Sequence, residues 1–123
     1  MSFIHYLFLG HFEHDGDVVR FSKTTSDPVY RPVVRHSIDT GATKAVLQEV
    51  KGAGVDDLAF PDDWMVWLSN GYLVCEKYTR NPEVINFVAR LVKRTRCEIC
   101  DASAHCVITL DDWLAVVHDY AKP

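Results

Sequence analysis

Two apolar runs flank an Asn-Gly pair near the middle of the chain, in residues 64–78 (WMVWLSNGYLVCEKY). A type I′ turn needs positive φ at both central positions, and Asn70 and Gly71 accept positive φ more cheaply than most residues. A two-residue turn here places Ser69 opposite Tyr72 in a β-hairpin. Both faces of this hairpin are apolar. We therefore expect it at the centre of a sheet, covered on each side, or on one side and by a partner.

The start of the same segment also has features of a helix N-terminus. Pro61 would occupy the first helical position, and Asp62 and Asp63 would meet the positive end of the helix dipole. Against this, Phe60 is a poor N-cap, and two tryptophans, a valine and a methionine in five residues fit a strand better. We favour the hairpin over a helix for residues 61–70.

Other short runs rich in aromatic and β-branched residues predict further strands. Asp15-Gly16 is a hairpin signal between the first two runs. Pro32 cannot donate a ladder hydrogen bond, so the third strand should lie at an edge or begin after it. The runs are residues 3–12, 18–23, 29–38, 97–101 and 106–109.

Three helices are predicted from capping residues at their starts, which in the second and third helices are followed by proline or acidic residues. They begin at Asp39-Thr40, at Asn81-Pro82-Glu83 and at Thr109 with Asp112. The resulting order is strands, helix, hairpin, helix, hairpin, helix. This order predicts an α+β fold, a mostly antiparallel sheet with about three helices packed on it. At 123 residues the chain is expected to form a single domain, residues 1–123.

Charge and hydropathy indicate a cytoplasmic protein that binds neither nucleic acid nor membrane. The net charge is −4, whereas phosphate-binding surfaces carry clustered excess Lys and Arg. The one basic cluster, residues 93–96, falls at the end of a predicted helix, where positive charge meets the dipole. The apolar run at residues 3–9 has no basic leader and no cleavage site, and no run is long enough to span a membrane.

Four closely spaced residues form the first candidate for chemistry, a structural zinc site. Cys97, Cys100, His105 and Cys106 include a Cys-x2-Cys pair, the spacing with which two thiolates grip zinc from one turn. The spacing is cramped, however, and alternate residues of a strand point oppositely. The competing interpretation, small buried side chains in a hairpin, is the one we favour. No other cofactor is expected.

A second candidate lies near the predicted first turn. His11, His14 and Asp17 could bind a divalent metal or serve in acid–base chemistry. On the hairpin interpretation His14 and Asp17 simply belong to a polar tip, with His11 across from Arg20. We favour the polar tip.

The third candidate is a set of acidic and aromatic residues for binding a protein partner. Exposed aromatic side chains ringed by carboxylates suit docking on a basic protein, since charge steers the encounter and aromatics supply binding energy. The alternative, which we favour because a domain of this size needs large core residues, is that the tryptophans are core and the acids are charges at helix starts. The set is Asp62, Asp63, Trp64, Trp67, Asp111 and Asp112.

No GxSxG, HExxH, P-loop or dinucleotide motif is present, so we lean against an enzyme. The leading hypothesis is a small acidic protein-binding module, such as an inhibitor or immunity-type protein that docks on a basic partner. The alternatives are a metal-binding protein and a small-ligand-binding domain. In the latter, His36, Arg35 or Arg80 would contact an anionic ligand.

Overall fold

A computed structural model describes residues 5–23, 30–52 and 58–121. The strands are β1 (Tyr6–Phe12), β2 (His14–Asp15), β3 (Val18–Val19), β4 (Phe21–Lys23), β5 (Tyr30–Pro32), β6 (Val34–His36), β7 (Trp67–Ser69), β8 (Tyr72–Glu76), β9 (Glu98–Asp101) and β10 (Cys106–Ile108). The helices are α1 (Thr40–Lys51), α2 (Pro82–Thr95) and α3 (Leu110–Ala121), and a short 3-10 turn spans Asp62–Trp64. In the part of the chain so described, no helix combines the length and the apolar character needed to cross a membrane.

The main sheet is antiparallel, and β1 lies in its interior. The strand order is β2-β3-β10-β9-β1-β8-β7, and β6 pairs with the end of β1. β4 and β5 form a separate two-stranded sheet. Three helices with a mostly antiparallel sheet make an α+β fold, so the predicted fold class is confirmed.

The alternating side chains of β1 reach two different cores, because successive residues of a strand point to opposite faces. Leu7 and Leu9 pack in the larger core with residues of the three helices. Phe8 and Phe12 pack on the opposite face, in a smaller core that Phe21 of β4 helps to cover. Both faces of β1 are therefore removed from water.

The helices begin where their capping residues predict. Asp39 accepts a hydrogen bond from the Ala42 amide at 3.0 Å. Asn81 accepts one from the amide of Glu83, also at 3.0 Å. In α3 the Thr109 hydroxyl caps its first turn in the same way. Each cap satisfies an amide that has no partner within its helix, which fixes where the helix starts.

The register of the β7–β8 hairpin is the predicted one, with Ser69 opposite Tyr72. The turn type is not. Gly71 has φ of 88°, but Asn70 has no positive φ, so the turn is not type I′. A tertiary contact holds the turn against the segment before α1, since the amide of Ile38 donates to the Gly71 carbonyl at 2.9 Å.

The position of this hairpin also differs from the prediction. β7 is the last strand of the sheet rather than a central one. The interior position belongs to β1, which has the longer apolar run and pairs on both sides. Residues 61–70 combine the two alternatives, because Asp62–Trp64 forms one 3-10 turn before the strand begins at Trp67.

Two predicted strands are each divided in two. The run at residues 18–23 breaks at Arg20, and the run at residues 29–38 breaks at Val33. The amide of Val33 donates to the carbonyl of Arg20 at 2.8 Å, so the two breaks face each other. The chain leaves the main sheet here, and β4 and β5 fold over the Phe8 face. Residues 3, 4 and 29 of the predicted strands lie outside the described residues.

The glycine at the β7–β8 turn should be sensitive to a methyl group for two reasons. Its φ is positive, and a Cβ on Gly71 would lie 2.9 Å from Ser37 Oγ. Gly16 is a matched control, with φ of 59° and no atom within 4 Å of its Cβ position. We expect Gly16→Ala to cost about 1–2 kcal/mol from backbone strain alone, and Gly71→Ala to cost more. Urea unfolding measures both, and equal losses would contradict the contact with Ser37.

Candidate functional site

Exposed apolar side chains are concentrated on and just before β7. Met65, Trp67 and Leu68 are 45%, 39% and 44% exposed. Across the described residues the only other large apolar side chain this exposed is Val18. We call Met65, Trp67 and Leu68 the β7 patch. Trp67 and Leu68 are adjacent in β7 and point to opposite faces of the sheet, so the β7 patch surrounds the strand edge rather than covering one face. Scattered apolar side chains are ordinary on a surface, whereas a group concentrated at one strand edge can mark an interaction site.

The local backbone explains how the β7 patch reaches the surface. The 3-10 turn closes with the Trp64 amide donating to Pro61 O at 3.0 Å. Met65 then takes a left-handed conformation with φ of 55°, which redirects the chain. Trp64 consequently enters the helix-side core, whereas Trp67 stays at the sheet edge, edge-on to Tyr6 with ring centroids 5.7 Å apart.

The backbone of β7 is also available at this edge. Among the described strands, none pairs with the outer side of β7. Ser69 and Tyr72 flank a two-residue turn, which makes them a hydrogen-bonded pair. Leu68 is therefore in a non-hydrogen-bonded pair with Leu73. Its amide and carbonyl point outward, where an additional strand would meet them.

The predicted partner-binding residues separate into different environments. Asp62 and Asp63 are exposed on the 3-10 turn directly before the β7 patch. Trp64 is only 2% exposed and packs on Phe87, so it is not available at the surface. Its Nε1 is buried and has no hydrogen-bond partner among the described residues.

The other acidic pair, Asp111 and Asp112, is exposed in the first turn of α3. Their place at a helix start is where carboxylates meet the positive end of the dipole. The following residue, Trp113, is fully buried, and its Nε1 donates to the Lys77 carbonyl at 2.9 Å. The second half of the predicted set therefore lies on a different element from the β7 patch.

The four proposed zinc ligands do not converge. Cys97 lies in the helix-side core and Cys100 in the core on the opposite face. His105 stacks on Phe21 with ring centroids 3.9 Å apart, and Cys106 pairs with Asp101 in the sheet. Within the described residues, no group of three or more His, Cys, Asp or Glu side chains is placed to hold a metal ion.

Burial also keeps the cysteines in the thiol form. It raises the pKa of Cys97 to about 11 and that of Cys100 to about 12. The pKa of Cys106 is raised as well, by burial and by nearby carboxylates. Metal ligation and disulfide exchange both need the thiolate. The structure thus presents these residues as small apolar side chains within the fold.

The second metal candidate becomes a different cluster, organised around Glu98. His11 Nδ1 lies 3.8 Å from one carboxylate oxygen of Glu98, and His14 Nε2 lies 3.5 Å from the other. Asp17 is in the following turn, where its carbonyl accepts from Val107. The predicted position of His11 is wrong, because it faces His36 across the β1–β6 pair rather than Arg20.

Glu98 occupies this place because the backbone hydrogen bonds that pair β1 with its neighbouring strands end here. The Phe12 amide donates to Glu98 Oε1 at 2.9 Å. Arg35 Nη1 donates to the Phe12 carbonyl at 2.9 Å, and its Nη2 lies 3.5 Å from Glu98. Two side chains thereby satisfy the last backbone groups of β1. Sequence reasoning missed Glu98, since its partners are distant in the chain and no local motif joins them.

Next to this cluster is a cleft of about 550 Å³. It lies between the ends of β1 and β6, the first turn of α1 and the last turn of α2. His36, one of the residues proposed to contact a small ligand, lines this cleft, whereas Arg35 turns to Phe12 and Glu98. Arg80 is exposed just before α2 and is not part of the lining. The cleft lining includes His11, His36, Ser37, Asp39, Arg94 and Thr95.

No protein-family model matches the chain, and no curated protein or solved structure is significantly similar to it.

The cysteine environments predict selective thiol chemistry. Cys75, Cys97 and Cys100 are buried, whereas Cys106 is half-buried. With Ellman's reagent we expect Cys106 alone to react in the folded protein, and all four thiols to react after unfolding. Cys106→Ser should abolish the native reaction. Native reaction of Cys97 or Cys100 at the rate of Cys106, or zinc release during the titration, would contradict this arrangement.

The environment of His11 predicts a loss of stability in mild acid. Burial lowers its pKa, His36 and Arg35 act in the same direction, and Glu98 opposes them. The unfolded chain then binds a proton that the folded chain does not, so the free energy of unfolding should fall as pH drops below about 6.5. Denaturant unfolding from neutral pH to about pH 5 measures the slope.

His11→Gln should flatten that slope, because it removes the group whose protonation differs between the two states. His118 is exposed on α3 and provides the matched control. His118→Gln should leave the slope unchanged. The same acid slope in His11→Gln as in the unmodified protein would assign the effect to other groups.

Proposed function

We propose that this chain is a protein-binding module that takes an extended segment of its partner as an additional strand along β7. The β7 patch is the observation that carries the proposal, because it combines three exposed apolar side chains with an unpaired strand edge. In strand addition, backbone hydrogen bonds supply affinity and alternate side-chain contacts supply specificity. Trp67 is the anchor, since large aromatic side chains dominate binding energy at interfaces.

The two ends of the sheet differ in a way that supports this proposal. Proteins usually protect edge strands with charges, proline, bulges or very short length. β2, at the far end, is such a strand, with two exposed polar residues, His14 and Asp15. β7 is also short, at three residues, but Trp67, Leu68 and Ser69 include neither charge nor proline. The less protected edge is therefore also the apolar one.

The charge next to β7 favours a basic partner. Asp62 and Asp63 are exposed immediately before the β7 patch, and the chain as a whole carries a net charge of −4. Carboxylates at the rim of an interface accelerate association with a positive partner and exclude negative ones. An inhibitor or immunity-type protein that covers a basic partner would use this combination. Nucleic acid, which is polyanionic, would be repelled here.

We place this activity in the cytoplasm. The four cysteines are free thiols, and three of them are buried. Cytosolic proteins keep thiols reduced, whereas exported domains of this size commonly form disulfides.

The outward backbone of Leu68 gives a direct test. A labelled peptide of alternating valine and lysine serves as the probe, with binding followed by anisotropy and by Trp67 emission. Leu68→Pro removes the outward amide without removing a β7–β8 hydrogen bond, and we expect it to weaken binding about fivefold to tenfold. Leu68→Ala keeps the amide and should weaken binding less.

Charge provides the second arm of the same test. A peptide of alternating valine and glutamate should not bind, and Asp62→Asn with Asp63→Asn should reduce both affinity and its dependence on salt. Near-ultraviolet circular dichroism confirms that each variant is folded. Equal binding of the two peptides, or equal affinity of Leu68→Pro and the unmodified protein, would overturn the proposal.

A further inference from the structure

The cleft beside the Glu98 cluster is lined by a buried imidazole that lacks a hydrogen bond within the described residues, although it lies near the Glu98 carboxylate. His11 is 8% exposed and lines the cleft. Among the described residues, neither of its ring nitrogens has a hydrogen bond, and the nearest carboxylate oxygen, on Glu98, is 3.8 Å away. Nearly all buried polar groups in folded proteins find a partner, which can be a water or a ligand. His11 therefore points to an occupant of the cleft.

A second imidazole shares the same space. His36 stacks on His11 with ring centroids 4.2 Å apart and planes 23° apart. Both rings line the cleft, and His36 Nδ1 lies 3.3 Å from the Ser37 carbonyl, which leaves its other ring nitrogen for a bound group. Ser37, the next residue, is exposed and also lines the cleft. These groups together form a set of donors.

The charges around the cleft favour an anion that accepts from these donors. Arg94 lines the cleft at the end of α2, and its Nη2 donates to both carboxylate oxygens of Glu49, at 2.7 and 3.0 Å. Asp39 also lines the cleft, but its Oδ1 is engaged by the Ala42 amide at 3.0 Å. Glu98 is surrounded by donors from Phe12 and Arg35 and by His14. Both acids therefore already have partners.

The backbone at the start of α1 adds positive potential to the cleft. α1 is twelve residues long and begins at the cleft. The first amides of a helix carry partial positive charge and bind oxyanions. This feature would not suffice alone, but it coincides with the unpartnered imidazole of His11 and with Arg94. An oxyanion in the cleft would also favour protonation of the imidazoles, which burial and mutual repulsion otherwise disfavour at His11.

We propose that the cleft binds the phosphate group of a small molecule, with His11 and His36 as hydrogen-bond donors and Arg94 as the charge partner. The volume of about 550 Å³ is within the range of small-molecule sites and exceeds what phosphate alone would fill. This site is separate from the β7 patch, so the two proposals stand or fall independently.

Histidine NMR tests the proposal on the full chain. Inorganic phosphate, glucose 6-phosphate and AMP are titrated at constant ionic strength, with acetate as the carboxylate comparison. We expect saturable shifts of the His11 and His36 ring protons and none at His118. The apparent pKa of both shifted residues should rise on binding. Tighter binding of an ester than of inorganic phosphate identifies a phosphorylated metabolite as the ligand class, and equal binding identifies free phosphate.

Two arginines one turn apart give matched variants. Arg94 and Arg90 both pair with Glu49, but only Arg94 lines the cleft. Arg94→Gln should weaken phosphate binding about tenfold, as for one charged hydrogen bond, and Arg90→Gln should leave it unchanged. Shifts that do not saturate, that appear equally at His118, or that Arg90→Gln weakens equally would overturn the proposal and leave water as the occupant.

Discussion

The burial of β1 on both faces is the constraint on which the rest of the structure depends. Leu7 and Leu9 need the helices on one side, and Phe8 and Phe12 need a second cover on the other. β1 also pairs with three strands, β6, β8 and β9. A strand with these requirements takes the interior of the sheet. The β7–β8 hairpin is then placed beside it, with β8 inward and β7 at the edge, and the β7 patch follows from that placement.

The same strand determines the polar cluster at its other end. β9 covers β1 as far as Gly10, which pairs with Glu98. The next free amide of β1, on Phe12, is satisfied by the Glu98 side chain instead of a backbone carbonyl. Arg35 completes the arrangement by donating to the Phe12 carbonyl. Glu98 is held beside His11 because it finishes the sheet, so structural and functional roles cannot be separated by deleting it.

Local interactions made much of the fold predictable. The three helix caps join residues two or three apart, and the hairpin register follows from a two-residue turn and an alternating pattern. The caps and the register could be predicted from the sequence because the interacting groups are neighbours in the chain. The turn type was not predicted correctly, because an Asn-Gly pair also fits a turn in which only the glycine has positive φ. The Glu98 cluster could not be predicted from the sequence either, because Phe12 and Glu98 are 86 residues apart.

The candidate sites were likewise only partly predictable from the sequence. Trp67 and the Asp62-Asp63 pair were in the predicted binding set, and all three are exposed within one short stretch of the chain. Trp64 was assigned to the same surface, but the left-handed residue Met65 separates its direction from that of Trp67. A sequence shows which side chains could bind a partner, whereas one backbone dihedral angle decides which of them are buried in the core.

The β7 hairpin and the cleft meet at one junction. Ile38 donates to the Gly71 carbonyl at the β7–β8 turn, and Ser37, the residue before it, lines the cleft. A Cβ on Gly71 would contact Ser37, so the turn and the cleft wall pack directly. This contact therefore links the turn of the hairpin directly to the wall of the cleft.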